Sequence, residues 1–395
     1  MTLAGQPPMS VPWAEMVDDA TRLRRELHRR PELRFEEEAT AARVRGILTE
    51  LGIDHRPCAG TGTVATLAGD APGRHVALRA DLDAMPIEEL TGAAWSSEHP
   101  GLMHACGHDG HTTTLLLAAQ WLAAHTDALP GPVTLLFQPG EEGGHGAKAM
   151  IDDHALEGVE AVFGWHNWPA IPFGHAACPD GAVMSANGTF RVELTGAGGH
   201  ASQPEATRDP VLAAAAVVVA LQQVVSRRLA PHRAAVVAVT WIDAQGADTV
   251  TPETAALGGS IRVPDTAARD EVFDLITAIA ADTAAAHGVH ATTTTTRRYD
   301  ATVNHPGPAA ELRAALTGEL GPDAGAVALP LPVLASEDFS YYLAEVPGAF
   351  ALIGAGDGAG HDEPCHSPRY DFNDRLLPIA ARTLLRVAGA PLPPR

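Results

Sequence analysis

Four residues that can bind a soft divalent metal lie in one short stretch, residues 101–111. They are His104, Cys106, His108 and His111. A thiolate and neutral imidazoles are the ligands that zinc and similar cations prefer. Side chains two positions apart point about 200° apart on a helix, so Cys106 and His108 could share an ion only on an extended segment or a tight loop. We therefore expect a loop that enters a helix, where the dipole favours a thiolate. A structural cysteine beside surface histidines is the alternative.

Further polar groups follow the predicted buried strands. The strands in this part of the chain are predicted at residues 64–67, 75–79, 133–137 and 161–164. The groups at their ends are Asp81 and Asp83, Glu141 and Glu142, and His166. Helices are predicted at 13–30, 36–51 and 112–124. Strands that alternate with helices indicate an α/β fold with a mostly parallel sheet, whose site lies along one edge.

The joint pattern offers enough nitrogen, sulfur and oxygen donors for two metal ions that share a bridging ligand. The donors are Cys106, His108, Glu142, His166 and His366. Glu141 is then free to face a metal-bound water. Two cations lower the pKa of such a water and polarise a carbonyl, and a carboxylate can pass the proton to a leaving nitrogen. Taken singly, paired glutamates usually form a solvated face, and Glu141 could instead be a second ligand or balance charge.

The pattern changes at about residue 185. A strand at 189–194, a helix at 209–226, strands at 234–242 and 254–263, a helix at 266–287 and a strand at 289–297 follow in order. The order β-α-β-β-α-β is that of a ferredoxin-like α+β domain. We expect residues 185–298 to be inserted between the two parts of a catalytic domain, residues 1–184 and 299–395.

Composition excludes several classes of function. The net charge is −21, from 27 basic and 48 acidic residues, which argues against nucleic acid and against an anionic membrane surface. The longest apolar run, 211–221, is too short to span a bilayer. Four scattered cysteines do not indicate a disulfide framework. Residues 1–11 lack the features of a signal peptide, so a cytoplasmic location is expected.

Seven motifs spread over nearly the whole chain resemble those of one family. They are His28–Leu33, Arg79–Pro86, Met103–Asp109, Phe137–Gly143, Gly198–Ala201, Ser336–Ser340 and His366–Pro368. In this order they resemble the aminoacylase/carboxypeptidase-G family of metallopeptidases, in its hippurate hydrolase and indole-acetyl-amino-acid hydrolase branch. The resemblance implies a di-metal peptidase-like α/β/α domain and a metal-dependent amidohydrolase of N-acyl amino acids. The inserted domain would be a lid and dimerisation domain.

The resemblance also implies residue roles. Cys106 would bridge two divalent ions, with zinc the default metal and manganese, cobalt or nickel left open. Glu141 would be the general base, and Asp83 would orient a ligand. Asp81 stands where other branches carry a histidine ligand, a duty that His108 would take over. His200 would reach the partner subunit's site and stabilise the oxyanion, which requires a homodimer, alone or as a dimer of dimers.

The substrate-binding stretch departs from the family pattern. Relatives carry an asparagine where this chain has Thr249, whereas Arg262 remains in place and can bind a carboxylate in a bidentate manner. A small amide without the free carboxylate is therefore an alternative substrate. A cysteine-nucleophile amidase that uses Cys106 with His108 is a second alternative, and a catalytically silent metabolite-binding relative is a third.

Overall fold

The structure is a computed structural model that describes residues 11–394. Contacts between Cα atoms divide the chain into two compact units. Unit 1 takes its described residues from Met1–Val183, Val303–Pro330 and Asp338–Arg395, and unit 2 consists of Met184–Thr302 and Leu331–Glu337. The interpretation of the N-terminus as lacking a signal peptide falls, except for Val11, outside the described residues. Within residues 11–394, no helix is both long and apolar enough to cross a bilayer.

The α-helices of the described chain include both long packed helices and short connecting ones. In chain order they are α1 (Trp13–His28), α2 (Glu38–Glu50), α3 (His108–Ala124), α4 (Gly146–Asp152), α5 (Pro210–Leu221), α6 (Thr266–Ala286), α7 (Pro306–Leu320), α8 (Ser340–Glu345) and α9 (Leu376–Val387).

The strands range from two to twelve residues in length. They are β1 (His55–Cys58), β2 (Gly62–Leu67), β3 (Val76–Asp81), β4 (Val133–Gln138), β5 (Ala161–Pro172), β6 (Ala176–Ala177), β7 (Gly181–Met184), β8 (Ala186–Thr195), β9 (Gly199–His200), β10 (Val236–Asp243), β11 (Val250–Thr251), β12 (Thr254–Val263), β13 (His290–Arg297), β14 (Thr302–Asn304) and β15 (Gly348–Gly356).

Unit 1 is built on a seven-stranded sheet of order β1-β2-β4-β3-β5-β15-β6. The four strands β4, β3, β5 and β15 are parallel to one another, as the sequence predicts, whereas the strands at both edges pair antiparallel. Strands β3 and β4 are buried along their whole length because helices cover the sheet. Their carboxyl ends lie side by side, with Asp81 opposite Gln138, so the loops that follow start from one edge.

Three sequence-based expectations in unit 1 are wrong in detail. His166 does not end a strand, because β5 continues to Pro172 and His166 pairs with Leu352 in its interior. The glycine-rich segment at 354–360 is not all loop, since β15 runs to Gly356. Helix α3 begins at His108 rather than at Thr112, so this histidine opens the helix. Strand β15 was not among the strands predicted from the sequence, although it is buried along its whole length.

Unit 2 confirms the expected ferredoxin-like order. Its four-stranded antiparallel sheet has the order β10-β12-β8-β13, and helices α5 and α6 pack on it. Strand β8 alternates buried and more exposed residues, as a sheet with one covered face requires. Both helices start at an aspartate that caps the first turn, Asp209 for α5 and Asp265 for α6.

Candidate metal centre

Helix α3 brings two candidate ligands to the carboxyl edge of the sheet. His108 is its first residue, and Cys106 lies two positions earlier in the loop. Gly107 between them has φ +92°, and a Cβ there would lie 2.3 Å from Asn167 Oδ1 and 2.5 Å from the Tyr370 hydroxyl. Only glycine fits this left-handed turn without displacing its neighbours. The turn directs both side chains towards the loops that follow β3 and β4.

The donor atoms form two groups that share one sulfur. Cys106, His108 and His166 make one group, and Cys106, Glu142 and His366 make the other; within each, the donor atoms lie within 4.8 Å of one another. Cys106 Sγ is 3.3 Å from His166 Nε2, and His366 Nε2 is 3.1 Å from Glu142 Oε1. Two adjacent donor groups with a common thiol fit two cations that share a bridging ligand.

Hydrogen bonds fix which ring nitrogen of each histidine faces the centre. His108 Nδ1 donates to the Asp83 carbonyl at 2.8 Å, and His166 Nδ1 donates to the Asn167 carbonyl at 2.6 Å. In both rings Nε2 is left to face the cluster, which is how metal-bound imidazoles are held in proteins. His108 Nε2 is buried without a hydrogen-bond partner among the described residues. Such a buried orphan atom fits a ligand role for Nε2.

The electrostatics of the cluster favour bound positive charge. Burial opposes ionisation of Asp81, yet Arg79 and two histidines hold its pKa well below its ordinary value. Burial likewise disfavours a charged His108, but Asp81 and Asp83 raise its pKa to about 10. Burial and neighbouring histidines hold the pKa of His166 well below its usual range, so its imidazole is neutral and able to bind a metal. The residues therefore fit two divalent cations.

Loop 139–144, which carries both glutamates, is held through its backbone. The two carboxylate oxygens of Asp83 accept the N–H groups of Glu141 and Glu142 at 3.0 and 2.8 Å. Glu37 Oε1 accepts the Gly140 N–H at 2.9 Å, and Arg34 donates to the Glu142 carbonyl at 2.7 Å. The two glutamate side chains are thus presented on a fixed segment.

A buried ionic network lies beneath this loop. Arg79 donates to Gln138 at 2.8 Å, to Asp81 at 2.6 Å and to Asp338 at 3.1 Å. Asp338 also accepts the Ala147 N–H at 2.9 Å, at the start of α4. All these side chains are buried, so each charge depends on its partners. The network ties the ends of β3 and β4 to the segment that returns from unit 2.

Asp81 and His111 are occupied by hydrogen bonds to other residues, whereas neither ring nitrogen of His104 has a hydrogen-bond partner in the described part of the chain. Asp81 accepts from His111 Nδ1 at 2.7 Å as well as from Arg79, and His111 Nε2 lies 2.7 Å from Asn167 Oδ1. Both ring nitrogens of His111 are therefore used. His104 is buried, and burial lowers its pKa to about 4, so it is neutral at physiological pH. The contacts of Asp81 and His111 agree with supporting rather than ligating roles.

Two residues of the site were not singled out by sequence. Asn167 lies 2.7 Å from His111 and donates to the Tyr370 hydroxyl at 2.8 Å, which braces the ring next to the ligands. Glu37 holds the loop at Gly140 and is fully buried. Asn167 directly follows a candidate ligand in the sequence, a signal that could have found it. Glu37 is 103 positions from its contact, and no local pattern marks it.

The remaining candidate residues belong to unit 2. His200, in β9, pairs with β11, and its Nδ1 accepts from the Ser202 N–H at 3.1 Å. Both His200 and Thr249 are exposed, and the Thr249 carbonyl accepts the Ala201 N–H at 2.9 Å. Arg262, in β12, is half-buried and donates to Ser336 at 2.9 Å. Burial and the nearby Arg298 lower the pKa of the Arg262 guanidinium.

Comparison with known proteins identifies the family of this chain. A sequence model described as Peptidase family M20/M25/M40 matches residues 77–390. N-acetyl-L-cysteine deacetylase of Bacillus subtilis (strain 168) is 40% identical over 361 residues, which cover 90% of this chain and 84% of that protein. IAA-amino acid hydrolase ILR1-like 2 of Arabidopsis thaliana is 40% identical over 372 residues, covering 93% of this chain and 84% of that protein.

A solved structure of the same family shares the fold. It is the Bacillus subtilis YXEP protein, a dinuclear metal-binding peptidase from the M20 family, with a TM-score of 0.80 and 28% identity. The superposition covers 95% of this chain and 98% of that one. The match of the family model over most of the chain and the identity to full-length relatives establish the relationship. The chain belongs to Peptidase family M20/M25/M40, in its amidohydrolase branch.

Proposed function

We propose that this protein hydrolyses the amide bond of N-acyl amino acids at a centre of two divalent cations, with Glu141 as the general base. The observation that carries the proposal is the pair of donor groups that share the Cys106 sulfur beside Glu141. The relatives support the substrate class, because one is named for N-acetyl-L-cysteine and another for IAA-amino acids. The metal remains open among zinc, manganese, cobalt and nickel, since the donor set alone does not select one.

The residues of unit 1 would bind the cations, transfer the proton and position the loop. Cys106, His108, Glu142, His166 and His366 hold the cations. When bound, two cations supply the positive charge that acidifies water and polarises a carbonyl. Glu141 takes a proton from the attacking water and gives it to the amide nitrogen, so that the C–N bond breaks to a carboxylic acid and a free amine. Asp83 keeps the Glu141 backbone at its place in the loop.

The residues of unit 2 would act on the substrate. His200 stabilises the oxyanion in the site of a partner subunit, so the active form is a homodimer through the inserted unit, alone or as a dimer of dimers. The exposure of His200 supports this role, because its ring is available at the surface. Arg262 binds the free carboxylate of the substrate, and the Thr249 hydroxyl contributes to the same subsite.

The test is a substrate panel with metal removal. N-acetyl, N-benzoyl and indole-acetyl amino acids are compared with the matching amino acid amides, which lack the carboxylate. We expect chelation to abolish hydrolysis and one added divalent metal to restore it, with the free acids preferred. Equal rates on the acids and the amides would remove the carboxylate subsite. Full activity in a chelated, metal-free sample would overturn the proposal.

A cysteine-nucleophile amidase is less well supported. Reactive cysteines are partly exposed, whereas Cys106 is buried and belongs to both donor groups. Cys106→Asp separates the two hypotheses, because aspartate can still bridge two cations but cannot form a thioester. We expect this variant to retain metal-dependent turnover. A trapped acyl adduct on Cys106 in the wild-type protein, seen by intact mass, would favour the nucleophile instead.

A further inference from the structure

A second thiol lies beside the candidate metal centre. Cys365 precedes the candidate ligand His366, and the His366 N–H donates to the Ala105 carbonyl at 2.7 Å. This backbone hydrogen bond brings together two segments that lie far apart along the chain, at Ala105 and at His366. The residues next to it are Cys106 and Cys365, and the neighbouring Cys365 thiol raises the pKa of Cys106.

The position of Cys365 is fixed from a second side. Asn167 Nδ2 lies 3.7 Å from Cys365 Sγ and also donates to the Tyr370 hydroxyl. Cys365 is half-buried, so a small solute can reach it, whereas Cys106 is buried. The loop that carries Cys365 therefore presents its sulfur towards the sulfur that the two donor groups share.

The other two cysteines have different surroundings. The thiol of Cys58 contacts the Met150 and Asp153 carbonyls at 3.7 and 3.6 Å, and the thiol of Cys178 contacts the Ala309 carbonyl at 3.8 Å. All four cysteines are free thiols. Cys58 and Cys178 thus provide internal controls for any chemistry that depends on a neighbouring thiol.

We propose that Cys106 and Cys365 are a modification site, in which a peroxide oxidises the two thiols to an intramolecular disulfide. One thiolate attacks the peroxide, breaks its O–O bond and becomes a sulfenic acid. The second thiol displaces water from that sulfur and forms the S–S bond. In total the two thiols lose two electrons and two protons, and hydrogen peroxide becomes two waters. Because the backbone hydrogen bond between His366 and Ala105 holds the two cysteine segments side by side, the bond needs no rearrangement of the fold.

The consequence rests on the proposed function. If Cys106 is the shared ligand, its disulfide no longer offers a thiolate, and the strain on the neighbouring His366 weakens the second donor group. Oxidation then releases the cations, and reduction restores the ligand. Activity would become dependent on the thiol state, with Cys365 shielding Cys106 from sulfinic acid, which reduction by thiols does not reverse.

The experiment is peptide mapping of peroxide-treated protein without reduction. Metal-free and zinc-loaded samples receive a small molar excess of hydrogen peroxide, and bound zinc is measured after desalting. We expect the peptides that contain Cys106 and Cys365 to be linked with a loss of two hydrogens, and dithiothreitol to separate them and restore zinc binding. Cys178→Ser should form the same link. A link to Cys58 or Cys178 instead, or no link at a dose that oxidises Cys106, would overturn the proposal.

The variant Cys365→Ser adds a second readout. We expect it to form no link and to carry Cys106 on to sulfinic acid, so that dithiothreitol fails to restore its zinc binding. Recovery equal to that of the wild-type protein would overturn the protective role of Cys365. The link in the metal-free sample is independent of hydrolysis. If it forms while the protein binds no divalent cation, the thiol pair stands and the proposed metal-dependent function fails.

Discussion

The candidate site residues of unit 1 and those of unit 2 are held in different ways. In unit 1, Cys106 and His108 are buried, and the Asp83 carboxylate holds the glutamate loop through two backbone N–H groups. In unit 2, His200 is exposed, and its Nδ1 accepts hydrogen bonds from its near neighbour Ser202. Buried hydrogen-bonded groups are preorganised, whereas an exposed group depends on what is brought to it.

This difference separates metal binding from turnover. We expect unit 1 to hold its cations with its own side chains. We expect the unit 2 residues to affect catalysis and substrate choice without affecting metal content. Mutations in the two units should therefore give different pairs of metal and rate effects.

The largest effect should come from Cys106→Ala, set against His200→Ala. Loss of the shared sulfur should remove both cations and lower kcat by about 10³-fold or more, since metal charge supplies several kcal/mol to such reactions. His200→Ala should keep the wild-type metal content and lower kcat by about 10²–10³-fold. Elemental analysis after gel filtration and steady-state kinetics measure both. Loss of metal in His200→Ala would contradict the expectation that unit 1 alone holds the cations.

A smaller effect is expected for Glu37→Ala, which removes the acceptor for the Gly140 N–H. Residues that position such ligands and bases from behind typically change affinity or activity by about 10–100-fold. We expect kcat to fall within this range while KM and metal content stay near wild type. Glu37→Gln keeps a carbonyl acceptor and should recover most of the rate. If Gln were as impaired as Ala, the hydrogen bond to Gly140 would not be the cause.

Arg262→Lys should act on substrate choice alone. Lysine keeps the charge but loses the bidentate geometry, so kcat/KM for free-acid substrates should fall by about 10-fold or more, in line with about 1.5–3 kcal/mol for a charged hydrogen bond. The matching amides should be unaffected. Thr249→Val should give a smaller effect of the same kind. A uniform loss on acids and amides would indicate a structural role for Arg262.

The smallest effect on activity is expected for Glu319→Gln. Glu319 belongs to α7 and contacts α9. Glu319 accepts from Arg382 and Arg386 at 2.6 and 2.5 Å. Burial disfavours its charge, but the two arginines outweigh it and lower the pKa of the carboxyl. Its stabilisation is therefore present above the ordinary pKa near 4.3 and is lost as the pH falls through the lowered value.

Urea unfolding at several pH values measures this contribution. We expect Glu319→Gln to lower the free energy of unfolding by about 1–3 kcal/mol at pH 7, with the difference from wild type shrinking below about pH 4. Metal content and kcat should not change. A constant difference across this range would show that the carboxylate charge is not what stabilises the helix pair.

Sequence reasoning succeeded where the pattern is local. Alternation identified β8, and short apolar runs identified β3 and β4, because a strand with one covered face alternates whereas a strand covered on both faces is mostly apolar. The sequence predicted a helix directly after the ligand stretch, but α3 already begins at His108 rather than at Thr112. Motif order then identified the family, which no single stretch could do.

The rest depends on contacts between distant residues. Nothing near Glu37 in the sequence indicates that it holds Gly140, and nothing near Cys365 indicates that Cys106 is its neighbour. His166 was predicted at a strand end, yet β5 continues past it to Pro172 and pairs with β15. Such long-range pairings are set by tertiary packing, which overrides local preference.

The most direct test of a two-cation centre with Glu141 as general base is the metal content and kcat of Glu141→Gln. In the proposed function, the two donor groups around Cys106 bind the metal and Glu141 transfers the proton. We therefore expect Glu141→Gln to bind two divalent cations per chain, as the wild-type protein does, and to have a kcat lowered by about 10²–10⁴-fold. A variant that binds two cations and turns over at the wild-type rate would contradict the assignment of Glu141 as the general base.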